Sequence, residues 1–125
     1  MTEALTQEQF IDLVRNKMRL IEDCRIFYVL KRYGLRLHVG SASFKMLKAI
    51  LALHEIGVNE FGAAMIAELA ECKFYEGCWN NMHILGDNHV LVKLRGLETT
   101  KSVWIVSPVF LEEWEGKVAI NGVQS

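Results

Sequence analysis

Three consecutive stretches decide the fold: Ala64-Met-Ile-Ala-Glu-Leu-Ala-Glu71, Met82-His-Ile-Leu-Gly-Asp-Asn-His-Val-Leu-Val-Lys93 and Ser102-Val-Trp-Ile-Val-Ser107. In the first, Ala64, Ile66, Ala67 and Leu69, with Phe61 before them, carry enough apolar surface for a helix over about 59–72. Asn59 is its expected cap. A polar interval at 71–74 separates it from a second helix over 75–85, and Gly86-Asp87-Asn88 has the composition of a turn. Residues 89–95 and 102–107 then alternate apolar and polar side chains. They predict a β-hairpin whose tip is Gly96-Leu-Glu-Thr-Thr-Lys101.

Working outward toward the N-terminus, Phe44, Leu47, Ile50, Leu51 and His54 share one face of a helix capped by Ser41 or Ser43 and stopped at Gly57; Lys45 and Lys48 lie elsewhere on it. Residues 35–39 form a short strand or an extended linker between Gly34 and Gly40. Before them, Thr6-Gln7-Glu8-Gln9 has the form of a capping box, in which the Thr6 hydroxyl and the Gln9 side chain satisfy each other's backbone amides. Apolar residues from Phe10 to Tyr28 then recur at intervals of three and four. They predict one long helix, to about Arg32, ended by Tyr33-Gly34. Its apolar residues form more than one stripe, because Leu13, Leu20, Ile26, Phe27 and Leu30 fall off the main one. Such a helix packs both on its own core and on a second chain. On the C-terminal side, Pro108 closes the second strand and residues 109–115 predict a last short helix, while 119–125 carry no pattern.

At 125 residues, 51% of them hydrophobic and net charge −1, the chain is sized for one folded domain, 1–125. Within it, 6–33 is the expected dimerisation helix, 41–108 the core and 109–125 a short helix with its tail. The expected fold class is mainly α with a small β-hairpin wing (α+β), a winged helix-turn-helix with a long N-terminal helix. The residues also resemble the MarR-like regulators and, more loosely, the SarA-like ones. Leu47-Lys-Ala-Ile-Leu-Ala-Leu-His-Glu-Ile-Gly57 is similar to their helix before the helix-turn-helix, and Ala64–Glu71 to the first helix of that motif. Met82–Lys93 matches the end of their recognition helix, the turn and the first wing strand, and Ser102–Ser107 the second strand. The resemblance covers about residues 44–108. The family continues past the wing into dimerising helices, whereas here 17 residues follow Pro108, so the dimer contact is expected on the N-terminal helix.

The resemblance implies duplex-DNA binding and transcriptional regulation by a homodimer. A recognition helix over 75–85 would enter the major groove. There Asn80 and Asn81 are suited to pair with adenine, and Tyr75, Trp79 and His83 to touch phosphates, sugars or thymine methyls. Lys73 would meet a phosphate near the helix start, and Arg95 and Lys101 would carry the wing to the flanking backbone. Phe10, Val14, Met18, Ile21 and Tyr28 are the expected dimer contacts. The recognition segment contains Gly77 and no Lys or Arg, so positive charge must come from Arg36, Lys45, Lys48 and the first helix.

The overall charge conceals a gradient. Residues 1–48 hold nine basic and five acidic side chains, net +4, and residues 49–125 hold five and ten, net −5. This polarity suits a nucleic-acid surface or intersubunit pairing. The mean hydropathy of +0.16 is high for a small monomer and again suggests a second chain. Lys48, His54, Glu55, Glu60 and Glu68 interrupt the apolar stretches, so no membrane span is expected. Met1-Thr-Glu-Ala-Leu-Thr-Gln-Glu8 lacks the pattern of a secretory leader, and the expected location is cytoplasmic with Cys24, Cys72 and Cys78 reduced. Cys72, Cys78, His83 and His89 are spaced too widely for a zinc site; neither metal nor cofactor is expected. Enzyme motifs are missing: there is no phosphate loop, nucleophile elbow or His-Glu-x-x-His, and Glu112, Glu113 and Glu115 form an acidic face. The alternative to DNA binding is a winged-helix protein interaction module or assembly factor, with exposed aromatics such as Trp79 or Trp104 docking a protein partner.

Overall fold

A computed structural model describes residues 5–72, 79–95 and 102–116. In chain order its elements are α1 (Gln7–Leu20), α2 (Asp23–Tyr33), α3 (Ala42–Glu55), α4 (Ala63–Leu69), α5 (Trp79–Asp87), β1 (Leu91–Arg95), β2 (Val103–Val106) and α6 (Pro108–Glu115). The protein is therefore mainly helical with a small two-stranded antiparallel sheet, an α+β arrangement. No helix among the described residues is long and apolar enough to cross a membrane.

The expected capping box is present. Gln9 N–H donates to the Thr6 hydroxyl at 3.1 Å and Thr6 N–H to the Gln9 side-chain carbonyl at 2.9 Å. The helix it starts does not continue to Arg32. At Ile21 the backbone turns extended (φ −82°, ψ 119°), which sends the Ile21 side chain into the core, and a second helix begins at Asp23. The several apolar stripes expected on one helix are thus the separate faces of two. Ile26, Val29 and Leu30 form the buried face of α2. Gly34 caps α2 at φ 82°, in the left-handed region that glycine enters without a Cβ penalty. Residues 35–38 follow as a linker that is neither helix nor strand.

Ser41 caps α3, its hydroxyl accepting from Phe44 N–H at 3.2 Å. This helix is buried nearly all round: Phe44, Met46, Leu47, Ala49, Ile50, Leu51, Ala52 and Leu53 all lie in the core. A helix apolar on every side must be central. Around it pack α1, α4 and α5, with Phe27 of α2 stacked on Phe44 at 5.1 Å between ring centroids.

The helix expected over 59–72 is shorter, running from Ala63 to Leu69. Phe61 before it is extended and bridges to Trp104: Phe61 N–H donates to the Trp104 carbonyl at 3.1 Å and Trp104 N–H to the Phe61 carbonyl at 2.8 Å. Phe61 thereby lies beside β2 on the side away from β1. Strands β1 and β2 pair antiparallel with Leu91 opposite Val106 and Lys93 opposite Trp104. The register then slips between Lys93 and Arg95, leaving Leu94 as the extra residue of a bulge. Leu91, Trp104 and Val106 face the core, so Trp104 is not the exposed aromatic it was expected to be, whereas Val92 and Leu94 are exposed.

Helix α5 continues through Gly86 to Asp87, into the expected turn. Reversal comes at Asn88, whose side-chain amide donates to the Ile84 carbonyl at 2.8 Å, and at His89, which sits at φ 64°. Pro108 occupies the start of α6, where its missing N–H costs nothing. Helix α6 then clamps α2 to α3. Trp114 donates through its indole N–H to Glu55 at 3.1 Å and lies under the Arg25 guanidinium, 3.7 Å from the ring centroid. Two of the three glutamates expected on an acidic face are engaged here: Arg32 Nε donates to Glu113 at 2.8 Å, and His54 Nε2 lies 2.8 Å from Glu115 Oε2. The Glu113 carboxylate raises the Arg32 pKa above its ordinary value, chiefly through that hydrogen bond.

Candidate functional site

The residues expected to read DNA are distributed unevenly. Lys73, Tyr75 and Lys101 lie outside the described residues; Trp79 opens α5 and Arg95 ends β1. Asn80 is exposed. Asn81 is not free to meet a base edge with its carbonyl, because that oxygen accepts from the hydroxyl of Ser43, itself buried. The bond fastens the start of α5 to the first turn of α3. His83 is half-buried and edge-on to Trp104, with ring centroids 5.4 Å apart. Met82 and Leu85 fill the core. The outward side chains of α5 described here are Asn80, Ile84 and Asp87, which together bring no positive charge.

The expected dimer residues divide in the same way. Val14 and Ile21 are 0% and 6% exposed in the single chain, so both are committed to its own core. Phe10 and Met18 are partly buried against that core. Tyr28 is 58% exposed. Spacing alone could not make this division, since the break at Ile21 changes which way each face points.

The positive charge expected from Lys45, Lys48 and the first helix does converge. A groove of about 430 Å³ between α1, the start of α2, α3 and the end of α4 is lined by Arg15, Arg19, Lys45 and Lys48, with Asp23 and Glu71 as its carboxylates. Met18, Val39 and Phe44 supply its apolar surface. Arg36 is elsewhere, lining a more apolar cavity between α2 and the linker that follows it.

Within the groove the four cations are held differently. Lys48 pairs with Asp23 at 2.7 Å. Arg15 donates from Nη2 to the Glu68 carbonyl at 2.9 Å and from Nε to the Leu69 carbonyl at 3.4 Å, and it meets Glu71 at 3.5 Å. It therefore closes the C-terminal end of α4, where free carbonyls favour a cation. Arg19 donates to the Asn16 side chain. Among the described residues neither Arg19 nor Lys45 forms an ion pair with a carboxylate, and both are exposed. Lys45 is near enough to Cys72 to draw its thiol pKa down, yet burial outweighs this and holds the thiol above its ordinary value.

Sequence reasoning missed Arg15 and Arg19 as individual members of this cluster. The only signal for them was the basic excess of residues 1–48, because what assembles the groove is not local: the contacts of Arg15 with α4 span more than fifty positions. Among the described residues, no group of three or more His, Cys, Asp or Glu side chains is arranged to hold a metal ion. Comparison of the chain with protein-family models, curated proteins and solved structures gave no match in any of the three.

Proposed function

We propose that this chain is a winged helix-turn-helix protein of the MarR-like or SarA-like kind, which binds duplex DNA as a cytoplasmic homodimer and regulates transcription without chemistry of its own. The observation that carries the reading is the order of α3, Phe61, α4, α5, β1 and β2, with Phe61 bridged to β2. A short extended segment before two helices, closing against the second of two antiparallel strands after them, is what a three-helix core with a wing requires. In such a fold α5 is the recognition helix, and two copies related by a dimer axis place it in successive major grooves.

Two outward apolar residues, Leu13 and Leu20, join Tyr28 as the surface offered to the second chain. Leu20, at 75% exposure, is the most open large apolar side chain of α1 and α2. The test is fluorescence anisotropy of a labelled mixed-sequence duplex titrated with the full chain at several salt concentrations. Binding that weakens steeply with salt is the expected result. A chain that remains folded but does not bind duplex even at 50 mM salt overturns it.

A second reading is favoured by a specific observation. The described outer face of α5 is neutral to acidic, and the adjoining sheet exposes Val92 and Leu94 at 40% and 44%. A surface of this kind suits a protein partner better than a phosphate backbone. Under this reading the chain is an interaction module or assembly factor, and duplex affinity is absent while the folded state is intact.

A further inference from the structure

We infer that the groove between α1, α3 and the end of α4 is where the phosphate backbone of duplex DNA docks, so that α5 is not the main source of affinity. The inference rests on the duplex-DNA reading above and assigns that reading its electrostatic surface.

Charge is the first reason. Binding a duplex releases condensed counterions in proportion to the phosphates neutralised, so a binder needs cations that are not already neutralised by its own carboxylates. The outward residues described on α5 provide none. Arg15, Arg19, Lys45 and Lys48 against Asp23 and Glu71 leave the groove with a surplus of two positive charges, and Arg19 and Lys45 are the two without a carboxylate partner among the described residues. Both can therefore meet phosphate without breaking an ion pair among the described residues.

Position is the second. The Ser43–Asn81 hydrogen bond sets the first turn of α3 against the start of α5, and Lys45 follows in the next half-turn of α3. The opposite margin of the groove is Leu69, Ala70 and Glu71, at the end of α4 and ahead of α5 in the chain. Lys45 leaves α3 about 200° round from Ser43, so the groove and the start of α5 flank the first turn of α3 from different sides, and a strand in the groove is held by α1, α3 and the end of α4 rather than by α5. The N-terminal end of α3, which borders the groove at Phe44 and Lys45, adds its partial positive charge there.

Arg15 has a different part. Its three contacts with the end of α4 fix the width of the groove, and it remains the positive neighbour of Glu71. Glu71 is then the groove's negative gate, a 70% exposed carboxylate that repels an incoming phosphate. Neutralising it should strengthen binding, an effect that general structural damage does not produce.

The experiment measures anisotropy of the full chain on a labelled duplex of about two helical turns across a salt series. Four proteins are compared: the unaltered chain, the double variant Arg19→Gln/Lys45→Gln, Glu71→Gln and Asn80→Ala. Circular dichroism establishes that each is folded. Loss of two phosphate contacts is expected to reduce the slope of log affinity against log salt by about 1.8 in the double variant, corresponding to about sixtyfold weaker binding at 0.1 M salt. Glu71→Gln should bind several-fold more tightly, and Asn80→Ala should keep the original slope.

Should the unaltered chain bind duplex with a salt slope that the double variant leaves unchanged, the groove is not the docking surface, although DNA binding itself survives. Failure of the unaltered chain to bind duplex overturns both. Tighter binding of single-stranded RNA of the same length than of duplex, lost in the double variant, overturns the choice of partner.

Discussion

At the scale of single residues, close approach and hydrogen bonding separate side chains that composition treats alike. Gly86 lies inside α5, where glycine normally weakens a helix, because a Cβ there would come within 2.9 Å of the Trp104 ring. Trp104 is 3% exposed and pinned through its backbone to Phe61, so the ring has little room to retreat. Gly86→Ala should therefore lower stability by about 1–2 kcal/mol, the overpacking cost less the gain in helix propensity. Gly40→Ala, with open space at its Cβ, should change it little; chemical denaturation of the two variants makes the comparison. The adjacent asparagines form a second contrast. Asn81→Ala strands the buried Ser43 hydroxyl and should cost about 1–2 kcal/mol, whereas exposed Asn80→Ala should stay within about 0.5 kcal/mol in the same assay. Equal losses would mean that the Ser43 bond has no structural weight. Adenine pairing was an expectation placed on both residues alike from their chemistry. That only Asn80 is turned outward was not legible, since Ser43 is 38 positions away.

Elements show where local pattern suffices and where it does not. Three caps were legible because each is complete within four or five residues: Thr6 with Gln9, Ser41 with Phe44, Gly34 after Tyr33. Asn59 was expected to cap α4, yet Gly62 holds that position, because the pairing of Phe61 with Trp104 keeps the chain out of the helix until Ala63. The strands were legible from alternation, and the central helix from its apolar density. The break between α1 and α2 was not, because the three-and-four spacing continues across Ile21 and only packing reveals that Ile21 turns inward. The Phe61 bridge was hidden for a related reason: a single paired residue has no period, and its partner Trp104 lies far along the chain. Helix α6 was expected only as a last short helix with an acidic face, yet Phe110 and Trp114 are 0% and 2% exposed and its acidic residues reach α2 and α3. Removing the indole in Trp114→Ala deletes core volume, the Glu55 hydrogen bond and the Arg25 stacking together. A loss of about 3–5 kcal/mol is expected. Arg25→Ala, which leaves the indole in place, should cost a minor part of that; similar losses in thermal unfolding would indicate that α6 is held by Arg25 rather than by burial.

For the whole molecule, the charge gradient and the high apolar content become two separate surfaces. The surplus of positive charge gathers between α1 and α3, while apolar residues unused by the core remain on the outside of α1 and α2 at Leu13, Leu20 and Tyr28. A homodimer formed through those three positions would account for a mean hydropathy that the single core does not absorb. It would also couple two grooves, since α1 carries both Leu20 on its outer side and Arg15 and Arg19 in the groove. Placing charge at the most open of these residues is the direct test: Leu20→Glu/Tyr28→Glu touches neither the core nor the groove cations. Sedimentation equilibrium should show a dimer for the unaltered chain and a folded monomer for the variant. Because linking two binding units makes the second contact intramolecular, the monomer should bind a duplex carrying both half-sites about a hundredfold more weakly, while binding a single half-site almost unchanged. If the variant remains dimeric, the second chain lies elsewhere; if it becomes monomeric with no loss on the double site, the two copies do not act together on DNA.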